Sequence, residues 1–247
     1  MQFLTPLTPL PLQVSGDVVG DYFDSLSGRQ IIVATPATQP ALWLAYIDGA
    51  RTSYSTHAVE SAIEYGKVRD GRTTALFFAV VETDGRVVGG LRVQGPLTHP
   101  DQAHAVREWD GRPGTEQIRS QILQRLAEGV IEIKAVWVDH DAPRHSALTS
   151  ALARVFIHAM DLLRVRHAMC TAAGHAMTRW ETSGGVVSAD VAAVPYPDER
   201  YETKLMWWDR NQVARLLSDE SVGALLSESA QLFRQPVTPW AALPSMA

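Results

Sequence analysis

The segment VIEIKAVWVDHDAPRHSALTSALARVF, Val130 to Phe156, limits the fold more than any other stretch of the chain. Val130–Val138 is an almost continuous apolar run of strand length, the signature of a buried strand. DHDAPRHS then interrupts it, with Pro143 suited to a turn or a first helical position. Beyond the break, Leu148, Leu152, Val155, Phe156, Ala159, Leu162 and Leu163 recur on one helical stripe, so a long amphipathic helix begins near Arg144–Ser146. The first turn of such a helix leaves backbone N–H groups without partners, and the helix dipole adds positive potential there. Those donors form an anion site needing no particular side chain, with Arg144 and His145 adding charge. The plain alternative is an ordinary strand-to-helix connection.

The neighbouring segments place this unit in a larger order. TTALFFAVV (73–81) and RVVGGLRV (86–93) are strand-like runs joined by a turn around Asp84-Gly85, which predicts an antiparallel hairpin. Gly89-Gly90 lies inside the second run, where a bulge or a close backbone approach is the simplest account. Residues 40–66 read mainly as helix, with Leu42, Tyr46, Val59 and Ile63 at helical spacing. A loop spans 94–114. Thr115 is a candidate N-cap, Ile118, Ile122 and Leu126 share a face, and Gly129 ends that helix. HAMCTAA (167–173) reads as a short strand and 174–183 as a short helix. Val186–Val194 and YETKLMWW (201–208) read as a closing hairpin, and Asp209 as the cap of a helical tail. No repeat or domain boundary is visible. The expectation is a single α/β domain over residues 1–247, with flexible arms at 1–14 and 235–247, where prolines punctuate the chain.

Composition narrows the function. A formal net charge of −5 argues against a general nucleic-acid binder. The single cysteine, Cys170, rules out an intramolecular disulfide and fits a cytoplasmic, reducing compartment. No membrane span and no signal peptide are expected. The eight histidines show no metal-ligand spacing, so no metal site is expected. A nucleophile elbow and glycine-rich phosphate loops are missing from the sequence, and Cys170 in its apolar strand reads as packing.

Glu132 stands out as a carboxylate in an otherwise apolar strand. Burial would raise its pKa and suit it to general-base work. Strict alternation would put Glu132, Lys134 and Val136 on one face and Ile133, Ala135 and Trp137 on the other. A Glu132–Lys134 pair on an exposed face is the alternative. Trp180, Trp207 and Trp208 are candidates to line an apolar pocket, or are core.

From Thr73 to Trp208 the succession resembles the acyl-CoA N-acyltransferase fold of the GCN5-related acetyltransferase superfamily. The family's phosphate pattern, Q/R-x-x-G-x-G/A, falls on Arg144-His145-Ser146-Ala147-Leu148-Thr149, with the arginine matched and Ala147 and Thr149 in place of glycines. RWETSGG (179–185) is similar to the family's Y-x-x-x-G-F segment, with Trp180 at the tyrosine position. In layout the chain is most similar to acyl-homoserine-lactone synthase-like acyltransferases. GGLRVQGP (89–96) is similar to their G-x-x-R-L segment, and Glu132 and Val138 fall on the glutamate and valine of their W-E-x-S-R-x-x-V strand. Lys134 and Ala135 replace the serine and arginine.

The resemblance implies a mixed, mainly antiparallel central sheet flanked by helices, and transfer of an acyl group to a small-molecule amine by direct attack. It implies acyl-CoA or an acyl carrier protein as co-substrate, with no tightly bound cofactor. Glu132 would take the amine's proton. Backbone groups at Val136, Trp137 and Val138 would orient the thioester. Arg144, His145, Ser146, Ala147, Leu148 and Thr149 would hold the pyrophosphate. A homodimer is an assembly this reading allows. The rival reading is a non-catalytic ligand-binding or interaction module that keeps the fold without the chemistry.

Overall fold

The strand predicted at Val130–Val138 pairs with its parallel neighbour over only its first three residues, and the rest of the architecture is arranged around that gap. In the computed structural model, residues 17–233 are described; the expected arms at 1–14 and 235–247 lie outside them. Nine strands form one sheet: β1 (Gly20–Asp24), β2 (Arg29–Ala34), β3 (Leu76–Val81), β4 (Val87–Gln94), β5 (Val130–Val138), β6 (His167–Ala173), β7 (Val186–Val187), β8 (Val194–Pro195) and β9 (Glu202–Asp209). The order is β1-β2-β3-β4-β5-β6-β9-β7, with β8 also on β9. Among the described residues every pairing is antiparallel except β5 with β6.

The helices are α1 (Pro40–Ser55), α2 (Tyr65–Val68), α3 (His104–Glu108), α4 (Thr115–Arg125), α5 (His145–Leu163), α6 (Gly174–Glu181), α7 (Arg210–Leu216) and α8 (Asp219–Leu232). α5 lays its apolar stripe on one face of the sheet, where Leu148, Leu152, Val155 and Phe156 meet Leu91, Ile131 and Ile133. On the opposite face α1 packs Leu42, Tyr46 and Ile47 against Phe77 and Ala79. The Trp109, Ile118 and Ile122 group covers the far end of that face against Val130, Met169 and Leu205. α5 is long and apolar enough to cross a membrane, which the sequence reading did not expect, but 61% of that window is buried within the fold. Core packing explains its composition.

Several local expectations change. Gly20–Asp24 and Arg29–Ala34 form the β1–β2 hairpin, which the sequence reading missed despite the apolar run Ile31–Ala34. Gly114, not Thr115, is the N-cap of α4; the Thr115 hydroxyl donates instead to the Arg112 carbonyl at 2.8 Å. The 94–114 loop contains α3. The closing hairpin forms only at its two ends, through β7 and β8 on β9.

The largest correction lies within β5. Gly90 pairs with Trp137 and Arg92 with Lys134, so Ala135 and Val136 together oppose Leu91 alone. This is a β-bulge, with Ala135 at φ 50°. The extra residue resets the alternation, so Val136 joins Ile133 on the α5 side while Trp137 turns to α1. The double glycine opposite is required by close approach. A Cβ on Gly90 would stand 2.2 Å from the Phe78 carbonyl oxygen, and one on Gly89 2.9 Å from that of Trp137.

Candidate active site

β5 and β6 are paired only at Val130–His167, Ile131–Ala168 and Glu132–Met169. Beyond these residues the strands diverge, and a cavity of about 360 Å³ occupies the opening. Its walls come from both faces of the sheet. Ile133, Val136, Ala176 and Trp180 belong to the α5–α6 side, while Tyr54, Glu108 and Tyr196 belong to the other. The opening therefore passes through the sheet. Tyr46 donates to the Ala135 carbonyl at 2.8 Å and Tyr54 to that of Val136 at 3.3 Å, so α1 fixes the bulged strand from behind.

A strip of ionisable groups borders the cavity. Lys134 Nζ lies 2.5 Å from Glu108 Oε1 and donates to Thr171 Oγ1, across the splay, at 3.3 Å. His104 stands between two carboxylates, with Nδ1 2.8 Å from Glu108 Oε1 and Nε2 3.0 Å from Glu64 Oε2. Glu108 Oε2 is buried without a hydrogen-bond partner. Burial pushes the Glu108 carboxyl up, but Lys134 and His104 outweigh it and hold the group at about 2. Glu108 is thus an anion at neutral pH. Burial pushes the phenols of Tyr54 and Tyr196, and the Cys170 thiol, well above their ordinary values. The tyrosines keep their protons, and Cys170 is a poor nucleophile.

The sequence-derived site residues divide into three groups. Val136 and Val138 line the cavity, as expected of the splayed strand, but Trp137 does not. Its indole packs on α1, where a Cβ on Gly49 would lie 2.3 Å from the ring. Glu132 is fully buried and does not line the cavity. Its carboxylate accepts the backbone N–H groups of His104 at 2.6 Å and Ala105 at 2.9 Å, so both oxygens cap the start of α3. That short helix carries Glu108 to the cavity. The carboxylate beside the opening is therefore Glu108, one that sequence reasoning missed because nothing local connects it to Lys134.

The third group is the break before α5. Arg144 adopts the left-handed conformation at the N-cap, exposed, with Nη1 donating to the Leu26 carbonyl at 3.4 Å. His145 and Ser146 are exposed, and Ala147 and Thr149 are half-buried. Leu148 is a correction: its side chain is core, and its N–H already bonds the Arg144 carbonyl at 3.1 Å. The Thr149 hydroxyl donates back to the His145 carbonyl at 2.9 Å. Arg179 of α6 reaches the same turn, donating to the Ser146 carbonyl at 3.0 Å. Two arginines thus flank the start of a 19-residue helix. Among the described residues no group of three or more metal-ligating side chains assembles.

A bulged, splayed strand facing an amphipathic helix within a mainly antiparallel sheet defines the acyl-CoA N-acyltransferase fold, and comparison with solved structures shows it. FeeM, an N-acyl amino acid synthase from uncultured soil microbes, superposes with a TM-score of 0.53 at 10% identity, over 76% of this chain and 96% of that one. BjaI, a CoA-dependent acyl-homoserine lactone synthase solved with SAM and isopentyl-CoA, gives 0.51 at 14% identity, over 80% and 88%. The acyl-homoserine lactone synthase LasI gives 0.50 at 9% identity, over 87% and 100%. No protein-family model matches the chain.

Among curated proteins, an uncharacterized protein of Mycobacterium tuberculosis (strain H37Rv) is 43% identical over 231 residues, covering 94% of this chain and 87% of that protein. An uncharacterized protein of Mycobacterium bovis matches equally. The chain belongs to the family of these mycobacterial proteins, and it has the acyl-CoA N-acyltransferase fold.

Proposed function

We propose that the protein transfers an acyl group from a thioester, carried by coenzyme A or an acyl carrier protein, to the nitrogen of a small-molecule amine. The observation that carries this reading is the cavity passing through the sheet, with an apolar mouth on the α5–α6 side and an anionic carboxylate on the other. An acyl chain fits the mouth lined by Ile133, Val136, Ala176 and Trp180. The thioester carbonyl then lies along the splayed backbone of β5, where preorganised peptide dipoles act on charge developing on its oxygen. The start of α5, with Arg144 and Arg179, would face a donor's phosphate. The amine enters from the α1–α3 side as a cation, and Glu108 attracts it.

Attack forms the C–N bond and expels the thiolate. An ammonium of pKa near 10 cannot attack until it gives up a proton, and Glu108 is the acceptor within the cavity. In this reading Glu132 positions α3 and is not the base. Tyr54 and Tyr196, both still protonated, are the phenols available to the leaving sulfur, since Trp180 holds the position where the family places a tyrosine. The donor comes and goes as a co-substrate. We place the reaction in the cytoplasm, in keeping with the reduced, buried Cys170.

The test pairs binding with turnover. Coenzyme A, octanoyl-CoA and acyl carrier protein are screened for thermal stabilisation, which follows RT ln(1 + [L]/Kd). Thiol release from each donor is then measured with the standard amino acids and putrescine as acceptors. Stabilisation by a donor together with amine-dependent thiol release supports acyl transfer. Stabilisation without release for any pair leaves a ligand-binding module, and neither response removes the donor site.

A further inference from the structure

On its α5–α6 side the cavity is walled by small and branched side chains and by one large ring. Ala172, Ala176, Ile133 and Val136 line it there together with Trp180. Ala176 and Trp180 lie four residues apart on α6, one above the other on the face turned to the cavity. Trp180 is only 8% exposed, and the space behind it is filled. Its ring packs on Phe156 with centroids 5.4 Å apart, and Phe156 packs on Trp208 at 4.3 Å. Phe156 and Trp208 are fully buried, so beyond the indole there is only core.

The aromatic stack is also tied at its edge. Ser183 Oγ donates to the Trp180 carbonyl at 2.8 Å and accepts the Trp208 indole N–H at 3.0 Å. The Gly185 N–H bonds the same Trp180 carbonyl at 3.2 Å. A Cβ on Gly185 would stand 2.5 Å from the Trp208 ring, so the turn after α6 is pressed against the stack. Trp180 therefore cannot swing aside without disturbing packed core.

Resting on the acyl-transfer reading, we infer that Trp180 determines acyl-chain specificity, closing the pocket behind a short or medium-length chain. An indole N–H is a donor only and no acid for a leaving sulfur, so the side chain contributes shape here. Each methylene buried against Ala172, Ala176 and Val136 favours binding about fourfold. The gain ends where the chain meets the indole, because further methylenes must force the stack apart or stay in water. The cavity of about 360 Å³ also has to admit the amine, which leaves only part of it to the chain. Removing the indole lengthens the pocket, and a large side chain at Ala176, one turn earlier on the same face, shortens it.

The experiment measures kcat/KM for thiol release from acetyl, hexanoyl, octanoyl, dodecanoyl and hexadecanoyl groups, on coenzyme A and on acyl carrier protein, with the amine panel described above. Wild-type protein is compared with Trp180→Ala, Trp180→Phe and Ala176→Phe. The readout is the dodecanoyl-to-hexanoyl ratio of kcat/KM, which a loss of folded protein does not move. Trp180→Ala is expected to raise that ratio about tenfold or more, Trp180→Phe to raise it less, and Ala176→Phe to lower it about tenfold. Ala176 is half-buried beside open space, so its variant tests the pocket even where Trp180→Ala fails to fold. Wild-type protein that turns over hexadecanoyl as well as hexanoyl groups would overturn the inference, as would a ratio left within about twofold of wild type by every folded variant. Acyl transfer itself would stand in both cases. Failure of the wild-type protein to release thiol from any of these donors overturns the acyl-transfer reading and takes the chain-length inference with it.

Discussion

Two buried ionic clusters occupy opposite faces of the sheet, and the contrast between them separates chemistry from architecture. Beneath α8, Arg154 of α5 contacts Asp24 of β1 at 2.8 Å and Glu228 of α8 at 2.5 Å. His158 Nε2 lies 2.9 Å from the other Glu228 oxygen. All four side chains are almost wholly buried, and none borders the cavity. Beside α3, Lys134, Glu108, His104 and Glu64 repeat the same ingredients, a base, two carboxylates and an imidazole. There the cluster borders an opening at one end and reaches solvent at the other. The same residue types bolt three elements together in one place and border an open cavity in the other. What differs is access, not composition.

The largest effect should come from the closed cluster. Arg154→Met removes the cation common to Asp24 and Glu228 and leaves buried carboxylates uncompensated. It is expected to cost about 3–5 kcal/mol, read by denaturant unfolding, with the rate per folded molecule unchanged. Glu108→Gln should show the opposite pattern. Glutamine still accepts from Lys134, so stability falls by only about 1–2 kcal/mol, while thiol release falls about a hundredfold. An Arg154→Met protein that folds fully but loses turnover would break the contrast.

Glu132→Gln is a sharper probe, because Glu132 was the catalytic candidate in the sequence. Its two oxygens accept two backbone N–H groups, and an amide can serve only one of them. The variant should lose about 1–3 kcal/mol of stability and keep its rate within a few-fold once folded. A rate loss matching that of Glu108→Gln, without loss of stability, would return the catalytic role to Glu132.

Acid titration gives a gentler comparison. Glu108 sits at about 2 in the folded protein, and Glu228 is also held below its ordinary value because His158 and Arg154 outweigh burial. A depressed folded pKa gives stability that is fully present above the unfolded value, about 4.3, and is lost as pH falls through the folded value. Wild-type protein should lose stability from about pH 4 downward. Unfolding midpoints measured across that window should fall less steeply in Glu108→Gln, with the Glu228 share of the slope remaining.

The sequence showed what local patterning controls. The β3–β4 hairpin, β5, the long helix α5 and their order follow from alternation, turn chemistry and helical periodicity. Less was visible where one residue departs from its pattern or where contacts span the chain. Nothing in Ala135 announces a positive φ, yet that one residue moves Val136 and Trp137 to opposite faces from those alternation assigns. Glu108 and Lys134 are 26 positions apart and Tyr54 and Val136 82 apart, so only the fold reveals them as one site. Of the two readings the sequence leaves for Glu132, a buried carboxylate or an exposed pair with Lys134, the fold has the buried one, but burial alone does not distinguish a base from a helix cap. The missed β1–β2 hairpin was within reach, since Ile31–Ala34 follows a turn ending at Gly28.

The smallest effect tests how the splay is held. Lys134 reaches across it to Thr171 at 3.3 Å, a long bond between strands that have already parted at Met169. Thr171→Val keeps the shape and removes the acceptor. If Tyr46, Tyr54 and the bulge hold β5 open, the change should cost under about 1 kcal/mol, because Lys134 keeps Glu108 and gains access to water in the cavity. KM for the amine should then rise slightly as the Glu108–Lys134 pair loosens, with kcat intact. A loss of several kcal/mol would mean that the charged strip itself spans and fixes the opening, as Arg154 does beneath α8, and the two clusters would differ less than their access implies.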